Sequence, residues 1–327
     1  MYSTDAKQQP KGPPAEPRPS SSIILLSHTN QVLLLRRVKT SRSFASAHVF
    51  PGGNLSEFHD GPVAPPDDLA RHRDSLAYRL GAIRETFEES GILLARKKDA
   101  PGDDEGLLVL SARERDEARK AIYNNEVKFT NWLDSVGGVA DIDNLLPFTR
   151  WVTPLATPRR FTTQMYICML PFPRNIPSAP SGVNDDGMGH DSIHAEAVLP
   201  TPDGAEITTS AFEDAATWLA RQQSGDIILF PPQAFLPDPD LAQRDELTEF
   251  LHRVPTAEKP RSLKNPTSQI PWADKLKGTG RGGDFERVVL VRFEKGTARQ
   301  VQVMDREEAF KTLRPAAPQG TVSKEKL

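Results

Sequence analysis

Two short apolar runs open the ordered part of the chain, SSIILLS over 21–27 and QVLLLRRV over 31–38, separated by His28-Thr29-Asn30. Runs of this length bounded by turn-forming residues predict two strands joined as a hairpin that enters the main sheet. HVFPGG over 48–53 then predicts a further short strand ending in a Pro-Gly-Gly turn, where glycine reaches backbone conformations closed to other residues. Residues 54–73 are polar and carry Pro62, Pro65 and Pro66, so they are expected to form an inserted loop that neither packs nor supplies a catalytic group. A helix follows, with Asp74 or Ser75 as its N-cap. Leu76, Leu80, Ile83 and Phe87 recur at helical spacing and form a narrow stripe expected to face the core. Gly91 stands where a helix of this kind ends.

Farther along, residues 111–135 alternate charges with Ala118, Ile122, Val127, Phe129 and Trp132, which predicts one or two surface helices. FTRWVTPL and FTTQMYICMLP predict strands split by a Pro158-Arg159-Arg160 turn, and 173–192 predicts a long loop. AFEDAATWLARQQSG predicts a helix, GDIILFPP the end of a strand, and LAQRDELTEFLHRV over 241–254 an amphipathic helix. RVVLVRF and ARQVQVM predict a closing hairpin. The expected organisation is a tail over 1–20, a domain over 21–253 interrupted by the 54–73 insert, and a C-terminal extension over 254–327.

Composition sharpens this outline in three places. The first 20 residues hold five prolines and few apolar side chains, too little to offset chain entropy, so they are expected to be disordered. The net charge of −3 offers no global field for nucleic acid or an anionic membrane, and no run approaches the roughly 18 apolar residues of a membrane span. A single cysteine, Cys168, excludes an internal disulfide and a CxxC zinc site and fits a reducing intracellular compartment. Its apolar setting predicts a buried strand thiol. The N-terminus shows no secretory h-region, and the final Glu325-Lys326-Leu327 shares only Lys-Leu with a peroxisomal address, so the expected location is cytoplasmic or peroxisomal.

The chemistry concentrates in Arg84-Glu85-Thr86-Phe87-Glu88-Glu89-Ser90-Gly91-Ile92. On a helical wheel Glu85, Glu88 and Glu89 lie within about 100° of one another and opposite the apolar stripe. Like charges at these spacings oppose the helix unless a cation neutralises them, and a hard cation such as Mg²⁺ takes carboxylate oxygens together with water and substrate phosphate. Five fixed residue types at about 6% frequency each arise by chance at roughly one position in a million, so an ordinary acidic surface helix is a poor account of the segment. NDDGMGHD over 184–191 offers no register that satisfies a calcium loop and is rejected as a metal site.

This segment resembles the box of the Nudix hydrolases, G-x5-E-x7-R-E-U-x-E-E-x-G-U with U apolar. Gly53 matches the leading glycine, and Arg84, Glu85, Glu88, Glu89, Gly91 and Ile92 match the second half. His59 stands where the upstream Glu belongs, Thr86 occupies an apolar position, and about 17 extra residues separate the two halves. An interrupted box followed by RWVTP and PRRFTT is similar to the eukaryotic peroxisomal coenzyme A diphosphatases and their microbial relatives. The resemblance implies an α/β/α sandwich around a mixed β-sheet. It implies Glu85, Glu88 and Glu89 as ligands of Mg²⁺ or Mn²⁺, with Arg84 holding the catalytic helix, and Gly52, Gly53, Arg159 and Arg160 against the substrate. The implied reaction cleaves the diphosphate linkage of a nucleoside diphosphate derivative, coenzyme A or acyl-coenzyme A before ADP-ribose or NADH. A scaffold that only senses a nucleotide is the rival reading. The partner is then a small-molecule nucleotide rather than a nucleic acid. Arg36, Arg37 and Arg42 could meet a 3′-phosphate, although ordinary surface charge is the favoured account of them. Glu196 and Glu206 stand equal as a further acidic residue, and His48 is expected to be structural.

Overall fold

A computed structural model describes residues 15–41, 44–66, 68–98, 106–153, 159–171 and 199–234, together with the backbone of 287–294 and 297–305 and residue 308. The predicted helix at 241–254, the loop at 173–192, Arg42 and Glu196 lie outside these residues. A seven-stranded sheet holds β1 (Arg18–Leu26), β2 (Val32–Arg37), β3 (His48–Val49), β4 (Gly52–Asn54), β7 (Leu146–Val152), β8 (Phe161–Met169) and β9 (Ile207–Glu213). Its spine runs β3-β2-β1-β8-β7, with β4 also paired to β1 and β9 to β2. β1 and β8 are parallel and the other pairs are antiparallel, so the sheet is mixed. A two-stranded ribbon joins β5 (Ala95–Lys97) to β6 (Gly138–Ala140).

The unbroken apolar runs follow from where β1 and β2 lie. Ile23, Leu25, Leu33 and Leu35 pack on one face with Tyr78, Ile83 and Phe87 of α2 (Leu76–Ser90), Ile122 of α3 (Ala112–Tyr123) and Phe129 of α4 (Phe129–Ser135). Ile24, Leu26, Val32 and Leu34 pack on the other with Trp218 of α5 (Ala215–Ser224), Ile227 and Leu229. Strands covered on both faces need apolar side chains at successive positions rather than alternate ones. The result is the expected α/β/α layering. Cys168 is buried in β8, and burial pushes its thiol up to about 12.

Several expectations need correction. The tail ends earlier than residue 20, because Arg18, Pro19 and Ser20 pair with Phe161, Thr162 and Thr163 across the parallel ladder. Pairing satisfies their backbone whatever their side chains can bury. The 54–73 insert is not a plain loop. Asn54 ends β4, Glu57–Asp60 form the one-turn α1, Leu69–His72 form a 3₁₀ turn, and His59, Asp60 and His72 are buried. On α2 the wheel predicts Ile83 and Phe87 correctly, but Leu76 is 56% exposed whereas Tyr78 is buried and donates its hydroxyl to the Arg71 carbonyl. The helix touches β1, β4, α1 and α3, so no single stripe defines its buried side. GDIILFPP forms no strand: Ile227 and Leu229 fill the second core, and Ile228 accepts one backbone bond from His48 before Pro231–Ala234 turn into α6. β9 was not foreseen, and the helix predicted from Ala211 begins only at Ala215, after the Asp214 N-cap.

Of the one or two helices expected over 111–135 the structure forms two, and the first hairpin and the strands β7 and β8 stand as expected. So does the closing hairpin, in which β10 (Arg287–Glu294) pairs antiparallel with β11 (Thr297–Asp305). Burial of His59 and Asp60 carries a consequence. Replacing 56–70 by a short Gly/Ser linker should lower the thermal midpoint by 10 °C or more, whereas a solvated loop of that length would change it by only a few degrees. Differential scanning fluorimetry on the two proteins reads the difference directly.

Candidate functional site

Helix α2 carries the box and is stopped by Gly91 in the left-handed conformation, its N–H bonded to the Phe87 carbonyl. Thr86 fits its apolar position because its hydroxyl is satisfied within the helix, donating to the Ala82 carbonyl at 2.8 Å. From α3, Arg119 donates from Nε and Nη2 to the Glu88 carbonyl at 2.9 and 2.7 Å and braces the last turn of α2. The sequence reading did not single out Arg119.

Arg84 is the hub. It donates Nε to Asp60 Oδ1 at 2.9 Å and Nη2 to Asp60 Oδ2 at 3.0 Å, a two-pronged grip on a carboxylate whose side chain has no exposed surface. Nη1 lies 2.9 Å from both Glu88 Oε1 and Glu85 Oε1, and Nη2 also donates to the Asn54 carbonyl at 3.1 Å. Asp60 therefore supports the arginine one position after the place where the box has its upstream Glu. His59 does something else: its Nδ1 accepts from the Phe129 N–H at 3.1 Å and its Nε2 meets Asn125 Oδ1 at 3.0 Å, tying α1 to α4. The clue to Asp60 was its own spacing from Ser56, whose side chain caps α1 and whose N–H donates back to Asp60 Oδ2 at 2.8 Å.

The three glutamates do share one side of α2, but that side is not open to solvent. Glu85, Glu88 and Glu89 side chains are 17%, 11% and 7% exposed, enclosed by β4 and by the segment entering β9. Glu89 Oε2 accepts from the Gly52 N–H at 2.9 Å. A Cβ on Gly53 would collide with the Glu85 carboxylate, so glycine lets the strand lie against the helix. Gly52 has φ 152°, and a Cβ there would collide with the Ser21 carbonyl and with Ser22. These glycines thus shape the carboxylate pocket. Across from Glu89, Arg37 places Nη1 3.6 Å from Glu89 Oε1 and Nη2 2.8 Å from Glu206 Oε2, which brings Glu206 to the rim.

Electrostatically the site is short of positive charge. Burial, with Glu88 and Asp60 adding to it against the pull of Arg84, pushes Glu85 up to about 7. Burial raises Glu88 as well, against Arg84. Burial and the Glu85 charge hold Glu89 well above the ordinary carboxylate range despite the Gly52 N–H and Arg37. Among the described residues no group of three acidic, His or Cys side chains is set as a ready metal cage, because Glu85 and Glu88 are turned to Arg84 and Glu89 to Gly52. The donor chemistry suits a hard divalent cation: carboxylate oxygens, mutual repulsion and too little counter-charge.

Other expected site residues lie apart. Arg160 is buried, with its guanidinium on the carbonyls of Thr153 at 3.1 Å and Ala15 at 2.9 Å, and it lines a small cavity with Arg18 and Arg159. That cavity is at the Arg18 end of β1, three ladder positions from Ser21 and its partner Gly53, on the order of 10 Å away. The structure therefore does not bring Arg159 and Arg160 to the carboxylates. His48 lies with Trp218 on the opposite face of the sheet from α2, and burial, with Arg221 and Arg36 adding to it, pushes it down to about 4.

Two outcomes follow. A carboxylate whose folded pKa is raised stabilises the fold fully below its unfolded value and loses that contribution as pH rises through the folded value. For Glu85 that window runs from about 4.5 to about 7. In EDTA the thermal midpoint should fall between pH 5 and 8, and Mg²⁺ should restore more of it at pH 8 than at pH 5. Asp60→Asn should cost about 3 kcal/mol or more in urea denaturation, because it strips a buried arginine of its two-pronged partner.

The family model for the NUDT19 Nudix domain matches residues 66–236, just over half of the chain. Acyl-coenzyme A diphosphatase NUDT19 of Gallus gallus is 32% identical, over 43% of this chain and 48% of that protein. Its Homo sapiens counterpart is 26% identical, over 48% and 51%. The chain spans about half the length of the curated relatives it matches. A crystallised Nudix hydrolase of Alicyclobacillus acidocaldarius aligns at 22% identity with a TM-score of 0.46, over 67% of this chain and 88% of that one. With more than half of its residues under that one family model, and the second half of the box carried on α2, this chain belongs to the Nudix family in its NUDT19 branch.

Proposed function

We propose that the chain is a metal-dependent hydrolase of the diphosphate linkage in a nucleoside diphosphate derivative, with coenzyme A and acyl-coenzyme A as its substrates. The observation that carries this reading is the enclosed Glu85/Glu88/Glu89 cluster, whose proton affinity is raised by burial and mutual repulsion beyond what Arg84 and Arg37 offset. A scaffold under selection for folding alone gains nothing from such a cluster. The substrate class rests on the likeness to proteins named acyl-coenzyme A diphosphatase.

In this reading Glu85, Glu88 and Glu89 would hold Mg²⁺ or Mn²⁺, Glu85 and Glu88 leaving Arg84 to do so. Bound there, the ion would offset phosphate charge and would lower the pKa of the attacking water. The protein does the rest. Arg84, locked by Asp60, fixes the helix bearing the carboxylates, Gly52 orients Glu89 through its N–H, and an acidic side chain of the cluster takes the proton of the attacking water. Attack at one phosphorus divides acyl-coenzyme A into 3′,5′-ADP and acyl-phosphopantetheine and leaves the thioester intact.

Mass spectrometry of acyl-coenzyme A digests tests this. The two phosphorylated fragments should form with Mg²⁺ and disappear in EDTA. Free fatty acid beside intact coenzyme A would refute the mechanism, cleavage of ADP-ribose or NADH alone would refute the substrate, and tight nucleotide binding without turnover would favour the sensing scaffold. Glu89→Gln should lower turnover by two or more orders of magnitude while keeping or raising the thermal midpoint, since it removes a buried charge that the fold disfavours.

A further inference from the structure

We propose that Arg37 is a substrate-binding residue of this site, which exchanges its ion pair with Glu206 for a phosphate oxygen when a diphosphate enters. The inference rests on the hydrolase reading above and adds to it the side chain that grips the substrate.

Alternation along β2 sends Leu33 and Leu35 to the α2 face, and Arg37 follows them in register. The β2–β9 ladder slips between Arg36 and Arg37, so that Arg37 pairs with Ile207, next to Glu206. Bulges of this kind re-aim side chains beside functional sites. Arg37 arrives 16% exposed, with Nε on the Ser41 hydroxyl at 3.1 Å, Nη2 on Glu206 and Nη1 at 3.6 Å from Glu89.

The contrast with Arg84 decides which arginine is free to move. Arg84 is 5% exposed and spends its donors on Asp60, Glu85, Glu88 and the Asn54 carbonyl. Its Nε and Nη2 stay on the fully buried Asp60 carboxylate even when Glu85 and Glu88 turn away, so Arg84 is fixed in place. Arg37 has one short ionic contact, to a Glu206 side chain that is 44% exposed, and pairs with so exposed a partner are worth little. Its Nη1 makes no hydrogen bond among the described residues and points toward the carboxylates on which the reading seats the metal. A diphosphate lying there presents adjacent anionic oxygens, the geometry a guanidinium fork grips in two-pronged fashion. Glu206 competes with the substrate for Arg37 and repels it.

Titration calorimetry with methylenediphosphonate, a diphosphate that water cannot split, tests this in the presence of Mg²⁺. Arg37→Ala should weaken binding at least tenfold, Arg37→Lys should fall between it and wild type, and Glu206→Gln should tighten binding a few-fold. Steady-state assays should show Arg37→Ala raising KM for acyl-coenzyme A more than it lowers kcat. Equal affinity of wild type and Arg37→Ala, no binding by wild type, or equal weakening by Arg37→Ala and Glu206→Gln would overturn the proposal; the last result would mark the pair as purely structural. Wild type that binds methylenediphosphonate through Arg37 but hydrolyses no nucleotide would instead sink the hydrolase reading.

Discussion

One buried guanidinium organises the site. Arg84 binds Asp60 from the insert, Glu85 and Glu88 from its own helix and the Asn54 carbonyl at the end of β4, so three separate segments meet on a single side chain. Enclosing an arginine is unfavourable unless its donors are matched, and matching them here fixes where α1, α2 and β4 lie relative to one another. The helix carboxylates are thereby drawn in beside the strand instead of fanning out into water. Their ionised forms become expensive, which is the property a cation-dependent site needs.

The sheet supplies the rigid support for that arrangement. β1 is covered on both faces and pairs with β2, β4 and β8, and its Ser21 and Ser22 hold Gly53 and Gly52 in register against α2. Arg37 reaches the same pocket from the adjacent strand, and Glu206 from the approach to β9. Four segments distant in sequence thus contribute charged groups to one pocket, the arrangement expected of a site grafted onto a scaffold.

Much of this was legible in the residues. The continuous apolar runs of β1 and β2, the Gly91 stop and the three glutamates at helical spacing are local features, and local physics reads them. The packing of the insert is not legible in its composition, because proline and polar content report on solvation of a free chain, whereas Asp60 and His59 are held by partners far away in sequence, Arg84 and the start of α4. The helical wheel gave the angle of Glu85, Glu88 and Glu89 but not the neighbours that cover them. Arg36 and Arg37 look alike as surface charge in the sequence; strand alternation sends Arg37 to the α2 face, and the slip in the β2–β9 ladder sets Ile207, next to Glu206, opposite it. Arg159 and Arg160 are suitable by type, yet parallel pairing of β8 with β1 anchors them beside Arg18, three ladder positions from Ser21 and its partner Gly53 rather than against the carboxylates.

The proposed activity requires that the enclosed glutamates of α2 be a divalent-cation site. Electron paramagnetic resonance titration of the full chain with Mn²⁺ at pH 7.5 measures this without reference to any substrate. The account predicts saturable binding in the wild type, unchanged in Arg159→Ala and lost or weakened at least tenfold in both Glu85→Gln and Glu89→Gln. Binding of equal strength in the wild type and both glutamine variants, or no binding in the wild type, would contradict it.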